Sequence, residues 1–231
     1  MSDFKVYVDG NIFYHPNLSK LAILEAQIKE DAESIDSFTL SAPFNHPYLN
    51  IIKPMSSVIT CKYKNETIFE GRALDDGSDF HNSHTWVCES VLSYLKDSIQ
   101  PPFEYKGTLK GLMEYFISVH NEKVEEKKKF KIGNVTVDYV SYSNSELSVT
   151  LDAIKKKLID THGGYLKVRY TEDGNYLDYL DDFKTKSLQK VEYGKNLLDV
   201  EITRDYMQRV SALIPLGARK RITDEDGNEI E

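Results

Sequence analysis

The spacing of apolar residues changes period twice along the chain, and this change narrows the possible folds most. From Phe4 to Glu89 apolar and polar residues mostly alternate, which is the period of a strand with one dry face. Phe4–Val8 runs into an Asp9-Gly10 turn. Leu24, Ala26 and Ile28, then Ile35, Phe38 and Leu40, predict two strands joined near Asp31–Ser34. Pro43 and Pro47 interrupt the sheet, and a short helical turn is expected at His46–Ile52. Val58–Lys64 and Thr67–Ala73 predict a hairpin turning at Asn65-Glu66, and Thr85–Glu89 a further strand.

After Ser90 the spacing becomes helical. A helix is expected at Val91–Ser98, stopped by Pro101-Pro102. Thr108 is placed to cap a helix over 108–124 carrying Leu109, Leu112, Met113, Phe116 and Val119 on one face. Phe130, Ile132, Val135 and Val137 return to strand spacing. A second helix over 149–162 carries Leu151, Ile154, Leu158 and Ile159 and ends at Gly163-Gly164. Tyr165–Tyr170 and Tyr176–Leu180 then predict a hairpin across Glu172–Asn175. Gln189–Tyr193, Leu197–Thr203 and Ala212–Leu216 have strand character, and Asp226-Gly227-Asn228 marks a last turn. The expected class is α+β and β-rich, with two β-barrel-like domains and intervening helices. The expected division is 1–95 for the first domain, 96–163 for a helical connecting region, and 164–231 for a second β-rich domain, incomplete at its C-terminal end.

The 37 acidic residues outnumber the 29 Lys and Arg, for a net charge of −8. A phosphate-gripping protein needs a basic surplus or stripe, and neither is present. The run Lys127–Lys129 sits beside Glu122, Glu125 and Glu126 and reads as a solvated helix end facing outward. No apolar stretch approaches the roughly 18 residues that a membrane span requires.

Four groups of residues invite a chemical reading. His81 and His84 have a metal-like spacing, but two imidazoles make no zinc site, which takes three or four protein ligands. Cys61 and Cys88 lie mid-strand, away from the helix N-termini and cations that activate a thiol, and read as small buried residues rather than a disulfide. Asp181-Asp182 is an acidic pair, but neighbours on a strand point opposite ways, unlike two carboxylates flanking one sugar. Gly194-Lys195-Asn196 lacks the rest of a phosphate loop. The residues therefore call for no catalytic, cofactor-binding or metal site.

Six stretches, in order, resemble one family, the prophage endopeptidase tail proteins, also described as the N-terminal region of phage minor structural proteins. They are Phe38–Ile59 with Asn45-His46-Pro47-Tyr48 and Ile52-Lys53-Pro54, then Ile68–Arg72 with Trp86–Glu89, then Tyr94–Tyr105. The others are Phe130–Val135, then Lys157–Asp160 with Gly163–Leu166 and Tyr176–Tyr179, and finally Tyr193–Asp199 leading to Ile214–Ala218. The resemblance implies a fold similar to the baseplate hub protein of contractile-tailed phages. It further implies a homotrimeric ring joining a hexameric tail tube, or distal tail protein, to the tip or receptor-binding apparatus, with DNA leaving through the middle. For such a ring the net charge of −8 predicts an acidic or neutral lumen through which DNA passes without specific binding. The expected location is the virion tail, after synthesis in the bacterial cytoplasm. Longer members carry lytic domains, but no peptidase motif stands here to receive that activity. The alternatives are the N-terminal part of a cell-wall-degrading tail endopeptidase and a host-carbohydrate-binding tail module.

Overall fold

The computed structural model describes residues 3–31, 34–137, 139–171, 173–182, 189–197 and 199–201, and the backbone of 222–223 and 229–230. Residues 1–184 form one compact unit and 185–231 another. The first unit is strand-rich and holds two hydrophobic cores.

The first core lies inside an antiparallel sheet of eight strands: β1 (Phe4–Val8), β2 (Asn11–Tyr14), β3 (Glu25–Lys29), β4 (Ser37–Ala42), β5 (Val58–Tyr63), β6 (Glu66–Ala73), β7 (Gly77–Ser78) and β8 (His84–Ser90). The order is β2-β1-β5-β6-β8-β4-β3, with β7 on β8. Val6, Val8, Phe38, Leu40, Ile59, Cys61, Phe69, Trp86 and Cys88 alternate along their strands and are buried on one face. The sheet curls into a half-barrel around them. Phe13 on one edge strand reaches Trp86 four strands away, with ring centroids 5.8 Å apart in an edge-on contact. Gly71 permits the close approach of β6 to its antiparallel neighbour β8, because a Cβ there would sit 2.0 Å from the Glu89 carbonyl oxygen.

The second core begins where the period changes. Val91–Asp97 is helical as expected, but wound as a 3-10 helix with Val91, Leu92, Tyr94 and Leu95 buried. Then follow β9 (Ile99–Gln100), β10 (Phe103–Thr108), α1 (Leu109–Lys123), β11 (Phe130–Val135), β12 (Val140–Ser145) and β13 (Ser148–Val149). Thr108 caps α1, its hydroxyl accepting from the Gly111 N–H. Leu109, Leu112, Met113 and Phe116 are the buried face. The second predicted helix comprises α2 (Thr150–Ile154), a π-helical stretch at Lys155–Ile159 and a closing turn α3 (Asp160–His162). Tyr179 accounts for that wide stretch and its stop, its hydroxyl donating to the carbonyls of Leu158 (3.1 Å) and Gly163 (2.7 Å). Gly163 and Gly164 then take φ of +77° and +83°, a conformation that suits glycine. The predicted hairpin forms as β14 (Tyr165–Thr171) and β15 (Gly174–Leu180), and β11 pairs with β15 in parallel.

The pairing of β11 with β15 explains Gly133. Asp178 on β15 is 2% exposed, takes two hydrogen bonds from Arg169 (2.6 and 3.0 Å) and accepts from the Asn134 N–H (2.6 Å). A Cβ on Gly133 would lie 1.9 Å from that carboxylate. Gly133→Ala is expected to displace the carboxylate from Arg169 and to cost about 2 kcal/mol, the middle of the range for an overpacked site. A urea-unfolding midpoint equal to that of the parent protein would show that Asp178 has room to move.

Three local expectations are corrected. The β5–β6 turn is Lys64-Asn65, both with positive φ, rather than Asn65-Glu66, as a two-residue hairpin of right-handed twist requires. The helical turn after Pro47 is confined to a 3-10 turn at Leu49–Ile51. Gln189–Tyr193 forms no strand, since an alternating segment needs a neighbour to pair with and among the described residues only a single Tyr193–Leu197 bridge forms. The described residues of Leu197–Thr203 form none either, and the rest of that run, Ala212–Leu216 and the Asp226–Asn228 turn lie outside the described residues. Strands β16 (Ile222–Thr223) and β17 (Glu229–Ile230) pair antiparallel.

Candidate functional site

The residues singled out for their chemistry do not converge. His84 Nδ1 meets Asp76 Oδ1 at 2.9 Å and its ring stacks on Trp86, while the His81 ring lies edge-on to Phe80. Among the described residues no group of three or more His, Cys, Asp or Glu is placed to hold a metal ion. Cys61 and Cys88 are free, buried thiols. Burial pushes both thiol pKa values up, that of Cys88 to about 12, the opposite of what a thiolate nucleophile requires. Asp181 accepts from the Thr136 hydroxyl at 2.7 Å, which holds its carboxyl below the usual range. A glycosidase acid needs the reverse shift. Gly194–Asn196 is a turn closed on itself, with Asn196 bonded to the Glu192 N–H and the Lys190 carbonyl and Lys195 paired with Glu192.

The structure does gather one set of polar side chains that the sequence left scattered. The Ser98 hydroxyl lies 2.7 Å from His120 Nδ1 and 2.6 Å from the Thr150 hydroxyl, which accepts from Gln100 Nε2 at 2.8 Å. His120 Nε2 lies 3.0 Å from the Lys128 carbonyl, which can only accept, so this nitrogen carries the proton and Nδ1 accepts from Ser98. A serine in contact with a histidine held by a third group has the outline of a nucleophile and its base. Here all four side chains are buried and the serine is committed to two partners. Burial also lowers the His120 pKa, so the ring resists taking a proton. The chain of bonds ties β9, α1 and the start of α2 together.

His46 is held similarly. Its Nδ1 accepts from the Tyr48 N–H (3.2 Å) and its Nε2 donates to the Phe13 carbonyl (3.0 Å), with the ring stacked on Phe13. Burial lowers its pKa as well. Both histidines fold neutral, so as pH falls below about 6.5, where the unfolded chain takes up protons, stability is expected to fall. Urea midpoints at pH 7.5 and 5.5 check this, with the His46→Gln/His120→Gln variant as reference. Burial raises the Asp36 and Glu70 carboxyls, which act in the opposite sense at lower pH, so the two proteins are compared at each pH. Equal pH dependence in both would reject the assignment.

A charged joint connects the two cores. Arg72, 4% exposed, donates to Glu89 (3.0 Å) and to Asp97 (2.7 Å). Lys96 closes on the other oxygen of Glu89 (3.2 Å), and Lys128 on Asp97 (2.7 Å). Arg72 and Lys128 also lie over the Tyr94 ring, 5.4 and 5.9 Å from its centroid. Burial raises the Asp97 carboxyl, but its bonds from Arg72 and Lys128 outweigh that and hold it below the usual range. This corrects the reading of Lys127–Lys129. Lys127 and Lys129 pair with Glu125 and Glu126 at the surface, whereas Lys128 is drawn into the joint. The available signal was a charged residue inside an apolar run, as at Arg72 between Gly71 and Ala73.

The fold is similar to that of several solved structures. A 43 kDa tail protein of prophage MuSo2 from Shewanella oneidensis matches with a TM-score of 0.53 at 15% identity, over 77% of this chain and 54% of that one. A tail protein from Neisseria meningitidis MC58 matches with a TM-score of 0.54 at 11% identity, over 76% and 50%. Prophage tail protein gp18 from Listeria monocytogenes EGD-e matches with a TM-score of 0.53 at 12% identity, over 99% and 65%. The chain has the fold of phage tail proteins.

The chain thus spans about half to two thirds of the length of these tail proteins. No protein-family model matches the sequence, and no curated protein is significantly similar to it. Among the described residues no helix is long and apolar enough to cross a membrane. The likeness of fold accords with the residues quoted for the tail-protein resemblance. Gly71, Gly133 and the Gly163-Gly164 pair, all inside those stretches, stand where the fold has no room for a side chain or needs a positive φ.

Proposed function

We propose that the chain is a structural hub protein of a bacteriophage or prophage tail, assembling as a ring of three that joins the tail tube to the tip or receptor-binding apparatus. The observation that carries this reading is the likeness of fold to the Listeria prophage tail protein across 99% of the chain. In this reading residues 1–95 form the first barrel-like domain, 96–163 the connecting region and 164–231 the second β-rich region. Three copies of a two-domain subunit offer six related faces to a sixfold tube. The part played is mechanical, and no catalytic residue is assigned. A net charge of −8 favours a lumen that repels the phosphate backbone and lets DNA slide.

The test is particle mass in solution, measured with and without the tail tube protein. A mass of three chains, and a larger complex with the tube protein, is expected. A monomer that ignores the tube protein at micromolar concentrations counts against the hub reading. Clearing of cell-wall material in a zymogram would assign the chain to a lytic role instead.

A further inference from the structure

Strand register places six exposed apolar side chains at one end of the half-barrel. Val8 pairs with Ile59, Val58 with Arg72, Gly77 with Thr85, His84 with Ala42, and Ser41 with Glu25. The loops between β4 and β5 and between β6 and β8, and the residues entering β3, therefore open at the same end. Leu24, Phe44, Tyr48, Met55, Leu74 and Phe80 all lie there and are exposed, Phe80 at 95%. At the opposite end the chain passes from Ser90 into the second core, and Ile35 packs on that core.

These side chains are held in water by ordered loops. Asp79 Oδ1 accepts from the N–H groups of His81 (2.8 Å) and Ser83 (2.9 Å), and the Asp79 carbonyl accepts from the Asn82 N–H (3.0 Å). The turn so fixed projects Phe80 outward. Met55 takes a φ of +63°, unfavourable for a side chain, and its N–H donates to the Ala73 carbonyl (2.7 Å). Single exposed apolar residues are ordinary, but six on one pre-shaped rim form a contact patch. The charge is one-sided: loops 43–57 and 74–83 carry Asp75, Asp76 and Asp79 against Lys53.

We infer that this rim docks a different protein of the tail, one whose face carries apolar pockets flanked by Lys or Arg; the inference rests on the tail reading above. A second copy presenting the same rim would set carboxylates against carboxylates. A host glycan is a poorer occupant, because Leu24, Met55 and Leu74 offer no ring to stack on a sugar.

The test uses tail particles containing the full chain, with p-benzoylphenylalanine replacing Phe80, or Tyr63 as a control at the opposite end. Light is expected to join position 80 to one other tail protein, at a segment bearing Lys or Arg, with no such product from position 63. The variant Asp75→Asn/Asp76→Asn/Asp79→Asn removes the three charges but keeps an acceptor oxygen for the N–H groups of His81, Ser83 and Val87, and is expected to unfold near the parent temperature yet enter particles at least tenfold less. Four results overturn the inference while leaving the tail reading intact: a product with a second copy, a product with host glycan, no product from a chain present in the particle, or normal entry of the folded asparagine variant. A chain absent from purified particles overturns both.

Discussion

Arg72→Ala is expected to destabilise the protein by about 3–5 kcal/mol, the cost of breaking a buried ion pair from one side. The loss does not come from surface electrostatics, which contribute at most about 1 kcal/mol per pair. Arg72 is the centre of the joint, and without it, among the described residues, the nearly buried Glu89 retains only the Lys96 ion pair and Asp97 only that of Lys128. The guanidinium over Tyr94 is lost as well. Urea-unfolding midpoints measure the effect. Arg72→Met combined with Glu89→Leu removes both charges and is expected to recover more than half the loss, because no uncompensated carboxylate is then buried beside β6. A loss below about 1 kcal/mol for Arg72→Ala would show that the joint behaves as a surface network.

Gly71→Ala is expected to cost about 3 kcal/mol, the upper end of the usual range for overpacking. The reason is space rather than backbone angle. The new methyl carbon would meet the Glu89 carbonyl oxygen at 2.0 Å and the Ser90 Cα at 2.9 Å, and neither atom can swing aside as a side chain can. The β6–β8 pairing must open. For a chain of this size the melting temperature should fall by roughly 6–12 °C. The same shift moves Glu89 relative to Arg72, so the Gly71→Ala/Arg72→Ala double variant should be less destabilised than the sum of the two. An unchanged melting temperature would mean that the pairing is looser than described.

Much of the fold was legible in the sequence because it depends on local period. The strands from Phe4 to Glu89, the Thr108 cap and the Gly163-Gly164 stop follow from which residues alternate and which lack a side chain. The winding of helices was less legible. Val91–Asp97 and Lys155–Ile159 carry apolar residues at spacings that a 3-10, α or π-helix all tolerate, and tertiary bonds such as those of Tyr179 decide between them. Gln189–Tyr193 failed because period reports a face, not a partner. The charged joint was least legible. Its members Arg72, Glu89, Asp97 and Lys128 are far apart in sequence, and nothing in the run Lys127–Lys129 marks its middle residue as different. Ser98 and His120 likewise meet only through the packing of α1.

The two thiols of the half-barrel offer a way to time its opening. Cys61 and Cys88 face the same core from β5 and β8, and neither is accessible while the sheet remains curled. Oxidation and alkylation both require an exposed thiolate. A disulfide reagent should therefore modify both cysteines only as fast as the half-barrel itself opens. The rate of labelling then reads the lifetime of the closed sheet directly.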